Sequence, residues 1–378
     1  MSISMTPPDL IVIGASARAA AFSAARAGFS PWWIDQFGDA DLRTAFPGRQ
    51  VPPRHYPRGI LDAIATAPRV PWLYTGALEN HLEVLDRLGA TRPLLGNDRS
   101  VCERVRSPWL LQSCLRDAGI PFPETPPFDS APGPGADWIV KSLRGAGGQG
   151  IRTLRSGSDA GAGCYVQRLI AGESLSAVFI GNGRDAVPLG VTRQLVGLPE
   201  FHAAAFSYCG SIGPEPLAGE EGDAWLRIGS VLAGEFGLRG IFGVDALRAP
   251  GGITPVEVNP RYTASVEVLE RALDVPAVRL HVEACAGALP PHALAASRIR
   301  VGKAYLFAPR DLAVPDLSAL IGNKATGGDL QIADIPAAGT GVAAGAPILT
   351  LLVRAGSAEA CADLLLAHAR RIYNHLGA

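Results

Sequence analysis

The chain has 378 residues, of which 48% are hydrophobic and 18% charged, and its formal net charge is −1. That much apolar material excludes extensive disorder, and the length exceeds one ordinary core, so two or three domains are expected. With no block of like charge, neither nucleic acid nor a membrane surface is an expected partner.

The six cysteines are scattered without a C-x-x-C pair. They read as buried thiols of a reducing compartment rather than zinc ligands. Residues 1–9 lack a basic leader region, and Leu10–Ile13 is far too short to span a membrane, so a cytoplasmic protein is expected.

Leu10–Ile13 is a buried-strand run, followed by Gly14-Ala-Ser-Ala-Arg-Ala19 and an alanine-rich helix ending near Gly28. Pro31–Ile34 is the next strand and stops at Asp35. This βαβ opening with an acid after its second strand invites a dinucleotide reading. Ser16 and Ala19, however, stand where the second and third glycines belong. The bland alternative is a Rossmann-like wall whose loop lines a substrate pocket, with Ser16 and Arg18 meeting an anionic group. Val70–Tyr74 reads as a further strand, and Thr75-Gly76 leads into a helix containing Glu79. Leu94–Asn97 closes a first α/β unit near residue 100, and Pro108–Ala118 forms a helix.

Trp138-Ile-Val-Lys141 is a strand followed by a loop with four glycines, Gly145, Gly147, Gly148 and Gly150. Such a loop lets backbone N–H groups approach phosphates while the lysine supplies a point charge. It is not a Walker A loop, because the lysine precedes the glycines. A glycine-rich hairpin with no ligand has the same sequence. Tyr165–Ile170 is a strand leading to Gly172-Glu173-Ser174. Ser176–Ile180 and Gly190–Leu195 follow, joined through Gly181-Asn-Gly183. Arg193 on the latter is either a solvated edge charge or a phosphate clamp. His202 and Tyr208 fall in an expected loop after it, where an amine substrate has room to approach. Asp223–Phe236 is an amphipathic helix capped by Gly237.

Ile241–Leu247 and Ile253–Val258 then read as a hairpin turning at Pro250–Gly252. In that register Asp245, Glu257 and Asn259 share one face, and three oxygen-bearing side chains suit Mg²⁺. Arg261 takes the next same-face position, a fixed positive charge suited to phosphate or carboxylate. A surface hairpin with solvated acids is the bland alternative. Val266–Asp274 and Ala277–Gly287 read as two packed helices, and short strands return at Ala304–Phe307, Leu330–Ile332 and Pro347–Val353. The helix Ala358–Leu376 finishes the pattern.

Three ordered elements together resemble the ATP-grasp superfamily of carboxylate–amine ligases, in particular the purine-biosynthetic carboxylases. They are Val140-Lys141 with its glycine-rich loop, Val166-Gln-Arg-Leu-Ile-Ala-Gly-Glu173, and Asp245 with Glu257-Val-Asn-Pro-Arg261. The resemblance implies an α/β protein with an α+β grasp domain. Residues 1–100 would be a Rossmann-like pre-domain, 101–300 the grasp domain divided near 165, and 301–378 a small β-rich segment with the final helix. It implies ATP and Mg²⁺ as cofactors and small-molecule carboxylate and amine substrates, and it allows a homodimer. By resemblance, Lys141 contacts the ATP phosphates, and Gly145–Gly150 form a flap over them. The backbone of Gln167, Arg168 and Leu169 reads the adenine, and Glu173 binds the ribose. Asp245, Glu257 and Asn259 hold Mg²⁺, and Arg261 faces the phosphoryl group.

Three positions depart from the family pattern. Arg168 stands where many members carry an acid, Arg106 where many carry a lysine, and Gly243 where some carry an arginine that Arg193 would replace. The implied chemistry is phosphoryl transfer to a carboxylate, then attack by an amine on the acyl phosphate, which needs positioning and charge neutralisation rather than a protein nucleophile. Thr75–Asn80, Tyr208–Pro214 and Tyr305–Asp311 resemble ATP-grasp proteins of methylotrophs, implying glutamate addition to a pterin or furan one-carbon carrier. The alternative is a binding protein that keeps the fold without turnover, and an NAD-dependent reductase built on residues 10–35 is a third reading that the broken glycine pattern opposes.

Overall fold

The computed structural model describes residues 7–127, 137–155, 160–291, 297–321 and 330–377. At the start of the chain, β1 (Leu10–Ile13) is buried at all four residues, which is why it is uniformly apolar rather than alternating. It pairs in parallel with β2 (Pro31–Asp35) and β4 (Trp72–Tyr74), and β3 (Gly48–Gln50) extends the sheet in the order β3-β2-β1-β4. On one face lies α1 (Arg18–Arg26), whose buried Ala20, Ala21 and Ala24 let the helix approach closely. α2 (Ala40–Ala45) follows β2, while α3 (Gly59–Ala65) and α4 (Leu82–Gly89) cover the other face through Ile60, Ile64, Val84 and Leu88. Because β2 and β4 flank β1 on opposite sides, the loops after β1 and β4 diverge and open a crevice at their carboxyl ends.

Asp35, the acid that invited a dinucleotide reading, faces inward. Its carboxylate accepts from Ala17 N–H at 2.7 Å and Gly38 N–H at 2.5 Å. Burial pushes this carboxyl up to about 6, against the pull of those N–H groups.

Two helices, α5 (Arg99–Val105) and α6 (Pro108–Asp117), lead onward. α5 was not anticipated, although Asp98 caps it by accepting from Val101 N–H. A small sheet follows in the order β6-β5-β7, made of β5 (Trp138–Ser142), β6 (Arg152–Thr153) and β7 (Cys164–Arg168). The expected glycine-rich loop joins β5 to β6.

The centre of the molecule is an eight-stranded antiparallel sheet. Its strands include β8 (Glu173–Asn182), β9 (Ala186–Val196) and β10 (Tyr208–Glu215), then β11 (Arg239–Ala249) and β12 (Gly252–Asn259). The chain continues through α7 (Gly219–Phe236), which precedes β11, and through α8 (Ala264–Leu273) and α9 (Ala277–Cys285), which follow β12. β13 (Arg300–Phe307), β14 (Leu312–Ala313), α10 (Ser318–Ile321), β15 (Leu330–Ala333), β16 (Gly341–Val342), β17 (Pro347–Ala355) and α11 (Ala358–Leu376) complete it. The order β12-β11-β8-β9-β10-β13-β17-β15 shows that the C-terminal strands extend the same sheet.

The segment around Tyr208 is therefore a central strand, not the loop expected from sequence. Its Gly210 is required by close approach, since a Cβ there would lie 2.1 Å from Lys303 O on β13.

α7 covers one face of this sheet, burying Trp225 against Phe179, which stacks on Phe242 at 5.1 Å. Each such fully buried aromatic contributes about 2–3 kcal/mol of transfer free energy. The other face carries α8 and α9. Val266, Leu269, Ala277 and Val278 there share one apolar cluster with the alanines of α1. The N-terminal sheet is thus packed directly onto the helices of the large one.

Candidate active site

The hairpin β11–β12 forms in the expected register. Asp245 lies directly opposite Glu257, and Asn259 opposite Gly243. A register shift between Asp245 and Ala246 places Ala246 against Pro255, which has no N–H to give the ladder. Asn259 Nδ2 donates to Asp245 Oδ2 at 3.0 Å, and Gln194 Nε2 from β9 donates to Oδ1 at 2.9 Å. Burial first, and Glu257 second, push the Asp245 carboxyl up to about 6. Among the described residues no three His, Cys, Asp or Glu side chains group to hold a metal. Two carboxylates and one amide converge instead, an oxygen-donating set that fits a hard cation such as Mg²⁺.

Arg261 leaves the end of β12 and is held from two sides. Its Nε donates to Glu79 Oε1 at 2.8 Å and one terminal nitrogen to Asn259 Oδ1 at 3.0 Å. Burial alone would lower the Arg261 pKa; Glu79, then Glu257 and Asp245, outweigh it and raise it. Glu79 sits in a 3-10 turn, Leu78–Asn80, after β4.

Lys141, on β5, is buried across from the hairpin. Its Nζ donates to Gln167 Oε1 and Val256 O, each at 3.3 Å, and lies 5.7 Å from the centre of the Tyr165 ring. Burial would lower its pKa, but Tyr165 and Glu257 outweigh that and raise it.

These groups line one cleft of about 950 Å³ between the small and large sheets. At one end are Ile139, Gln167, Arg168, Leu169, Ile170, Leu247 and Val256. The other end opens onto Ser16, Phe37, Thr75, Gly76, Tyr208 and Tyr305, beside the crevice of the parallel sheet. The glycine loop closes over it. Gly147 O accepts from Tyr208 N–H at 3.0 Å, and Gly148 rests on Phe206 O, which a Cβ would approach to 1.9 Å. Gly147 and Gly148 both have positive φ, 62° and 75°. Gly145 lies instead by a smaller cavity of about 40 Å³ that Arg106, Lys141 and Glu257 also line.

The cleft thus gathers Lys141, Gly147, Gly148, Gln167, Arg168, Leu169, Asp245, Glu257, Asn259, Arg261, Ser16 and Tyr208. Several other expectations are corrected. The N–H groups of Arg168 and Leu169 are taken by Glu124 O and Asp137 O, each at 2.8 Å, so neither is available to an adenine. Glu173 and Arg193 occupy the opposite face of the large sheet from Ser174 and Gln194. They pair there with each other at 2.9 Å, and Glu215 and Arg248 complete the network. His202 is exposed at the end of a 3-10 turn and packs edge-on against Tyr373 at 4.7 Å. Arg18 reaches the cleft wall but is committed: its guanidinium pairs with Glu267 and with Asp334 at 2.8 Å, and Lys303 joins Glu267 at 2.8 Å. Glu79 is buried behind Arg261. The sequence reading missed Gln194, Phe37, Tyr305 and Thr263. Of these, Gln194 was legible only as the alternate-face neighbour of Arg193.

Residues 105–265 match the family model described as the ATP-grasp domain. Solved structures resemble the whole chain at low identity. The biotin carboxylase domain of the Hydrogenobacter thermophilus 2-oxoglutarate carboxylase, solved with MgADP, ADP and bicarbonate, has a TM-score of 0.71 at 15% identity, covering 94% of this chain and 88% of that one. N5-carboxyaminoimidazole ribonucleotide synthetase from Thermus thermophilus gives 0.67 at 16%, covering 96% and 98%. The L-amino acid ligase of Bacillus licheniformis gives 0.71 at 12%, covering 97% and 98%. No curated protein sequence matches the chain. The fold is the ATP-grasp fold, and within it residues 105–265 are the part that matches the ATP-grasp domain model. No helix among the described residues is long and apolar enough to cross a membrane.

Proposed function

We propose that the chain is an ATP- and Mg²⁺-dependent ligase that activates a substrate carboxylate as an acyl phosphate for attack by an amine. The observation that carries this is the convergence of Asp245, Glu257, Asn259 and Arg261 with Lys141 and the glycine flap on one cleft. The structural neighbours include an amino acid ligase and a carboxylase domain solved with MgADP and bicarbonate, which supports the same class.

In this reading the adenine lies among Ile139, Leu247 and Val256, with Ile170 as the backbone contact, because the donors of Arg168 and Leu169 are occupied. Lys141 and the flap N–H groups hold the phosphates. Asp245, Glu257 and Asn259 would hold Mg²⁺, which supplies charge neutralisation to the transferring phosphoryl group. Arg261, fixed by Glu79 and Asn259, faces the acyl phosphate. The start of α8 lies beside it, and the Thr263 hydroxyl there is buried without a hydrogen-bond partner among the described residues. Helix N–H groups and a free hydroxyl suit the oxygens of an anionic intermediate. The division into residues 1–100, 101–300 and 301–378 belongs to this proposal, with the acceptor bound between the first and the second.

For the acceptor, a ring-bearing one-carbon carrier of the pterin or furan type receiving glutamate is the finer proposal. Its support is the aromatic wall of Phe37, Tyr208 and Tyr305 at the acceptor end, where Tyr208 and Tyr305 lie 5.8 Å apart edge-on. A second reading, nucleotide binding without turnover, is favoured by Arg106, which contacts the flap rather than standing free for a phosphate.

The test is titration calorimetry of MgATP into the wild type and into Glu257→Ala, followed by ADP release with a panel of carboxylates and amines. Binding that the variant loses, with ADP release only when both substrates are present, is expected. Equal binding by both proteins would remove the metal assignment, and ADP release unaffected by any acceptor would leave the binding protein.

A further inference from the structure

Among the described residues, the Arg106 side chain hydrogen-bonds the flap to the N-terminal part of the chain. Arg106 stands at the C-terminal end of α5, between the two sheets. One terminal nitrogen donates to Asn80 Oδ1 at 2.5 Å and the other to Gly145 O at 3.0 Å. No carboxylate pairs with Arg106 among the described residues, so its hydrogen bonds end on two neutral oxygens whose positions it fixes. Asn80 is 8% exposed and belongs to the same 3-10 turn as Glu79, which holds Arg261. One short turn therefore reaches both halves of the cleft. Through Glu79 it sets Arg261 at the hairpin, and through Asn80 and Arg106 it sets the flap. Thr75–Ala77, which line the acceptor end, immediately precede it.

We propose that Asn80 is a positioning residue. Through Arg106 it latches the glycine flap to the N-terminal part of the chain, and so sets how readily the flap lifts from the cleft. A planar fork is needed because Asn80 and Gly145 O lie in different directions from one cation; an ammonium carries the charge without reaching both. Hydrogen bonds to a charged donor are the strong class, so losing one acceptor shifts the flap's opening equilibrium by roughly tenfold or more.

Hydrogen exchange of the ligand-free full-length chain reads this directly. Asn80→Ala is expected to speed exchange of residues 143–151 by about tenfold while α11 keeps its protection. Arg106→Lys should do the same, and Asn80→Asp, which keeps an acceptor oxygen, should restore wild-type protection. MgADP titration of the same proteins then reads the consequence, a weaker affinity that Asn80→Asp recovers. This second readout rests on the nucleotide reading of the cleft; the first does not. A flap that loosens in a protein that binds no MgADP upholds the latch and removes the ligase. Unchanged flap exchange in both Asn80→Ala and Arg106→Lys, or a rise spread equally over the whole chain, overturns the latch.

Discussion

Glu79 and Arg261 meet at 2.8 Å across the boundary between the parallel sheet and the large one, with side chains 1% and 10% exposed. The second carboxylate oxygen of Glu79 is buried and has no hydrogen-bond partner among the described residues, so the acid's one side-chain hydrogen bond there is to Arg261. Removing one member of a buried pair leaves an uncompensated charge, at a cost of about 3–5 kcal/mol. Glu79→Ala is expected to lose stability of that order in guanidinium unfolding, and Glu79→Gln, which keeps an acceptor oxygen, distinctly less. An alanine variant within about 0.5 kcal/mol of the wild type would mean that solvent already screens the pair.

The flap gives a contrast between neighbouring glycines. Gly147 has open space at its Cβ position, so Gly147→Ala adds only the cost of a positive φ, about 1 kcal/mol. At Gly148 a Cβ would sit 1.9 Å from the backbone oxygen of Phe206, which cannot swing aside like a side chain. Gly148→Ala is therefore expected to hold the flap off the cleft and weaken MgADP binding at least tenfold in calorimetry, with the melting temperature nearly unchanged. Similar affinities for the two variants would show that the flap does not close on Phe206.

Much of this arrangement was legible from local pattern. The Asp245–Glu257 hairpin carries its own turn and period-two alternation, and α8, α9 and α11 carry helical spacing with usable ends. β10 was not legible, because Gly210, Gly213 and Pro214 interrupt its alternation and its place depends on β9 and β13. Facing was the other gap. Arg193 and Gln194 are adjacent on β9, and alternation says only that one of them meets the hairpin. Which one is fixed by the pairing of β9 with β8, including a register shift at Val178–Phe179. The same ambiguity separates Glu173 from Ser174. The partners of Arg18 lie 249 and 316 positions away, so no local rule reveals that its charge is committed.

Asp39 should give the fold a measurable pH dependence. Burial first, then Asp334, Asp35 and Asp41, push its carboxyl up to about 8, with Arg18 opposing. It precedes α2 without capping it through its side chain. Between the ordinary carboxylate range and pH 8 the folded state holds a proton that the unfolded chain releases. Stability from this group therefore falls as pH rises through that window and levels off above it. Asp39→Asn mimics the protonated form. Its unfolding free energy is expected to match the wild type near pH 4.5 and exceed it by about 1–2 kcal/mol near pH 8. Parallel pH profiles in the two proteins would show that Asp39 is ionised in the fold.

The two faces of β9 provide the last test. Arg193 pairs with Glu173 and Glu215 away from the cleft, and its side chain is 38% exposed, so solvent screening limits what the network contributes. Arg193→Ala should leave MgADP affinity within about twofold and lower stability by less than about 1 kcal/mol. Gln194, one residue on, donates to Asp245 Oδ1 and orients the acid that would meet the metal. Groups that orient a ligand of this kind are worth about ten- to a hundredfold in metal affinity, so Gln194→Ala should weaken MgADP binding about tenfold. If the order were reversed, with Arg193 dominant, the assignment of Gln194 rather than Arg193 to the cleft face of β9 would fail, because β9 lies between β8 and β10 and Arg193 has no sheet edge to pass around.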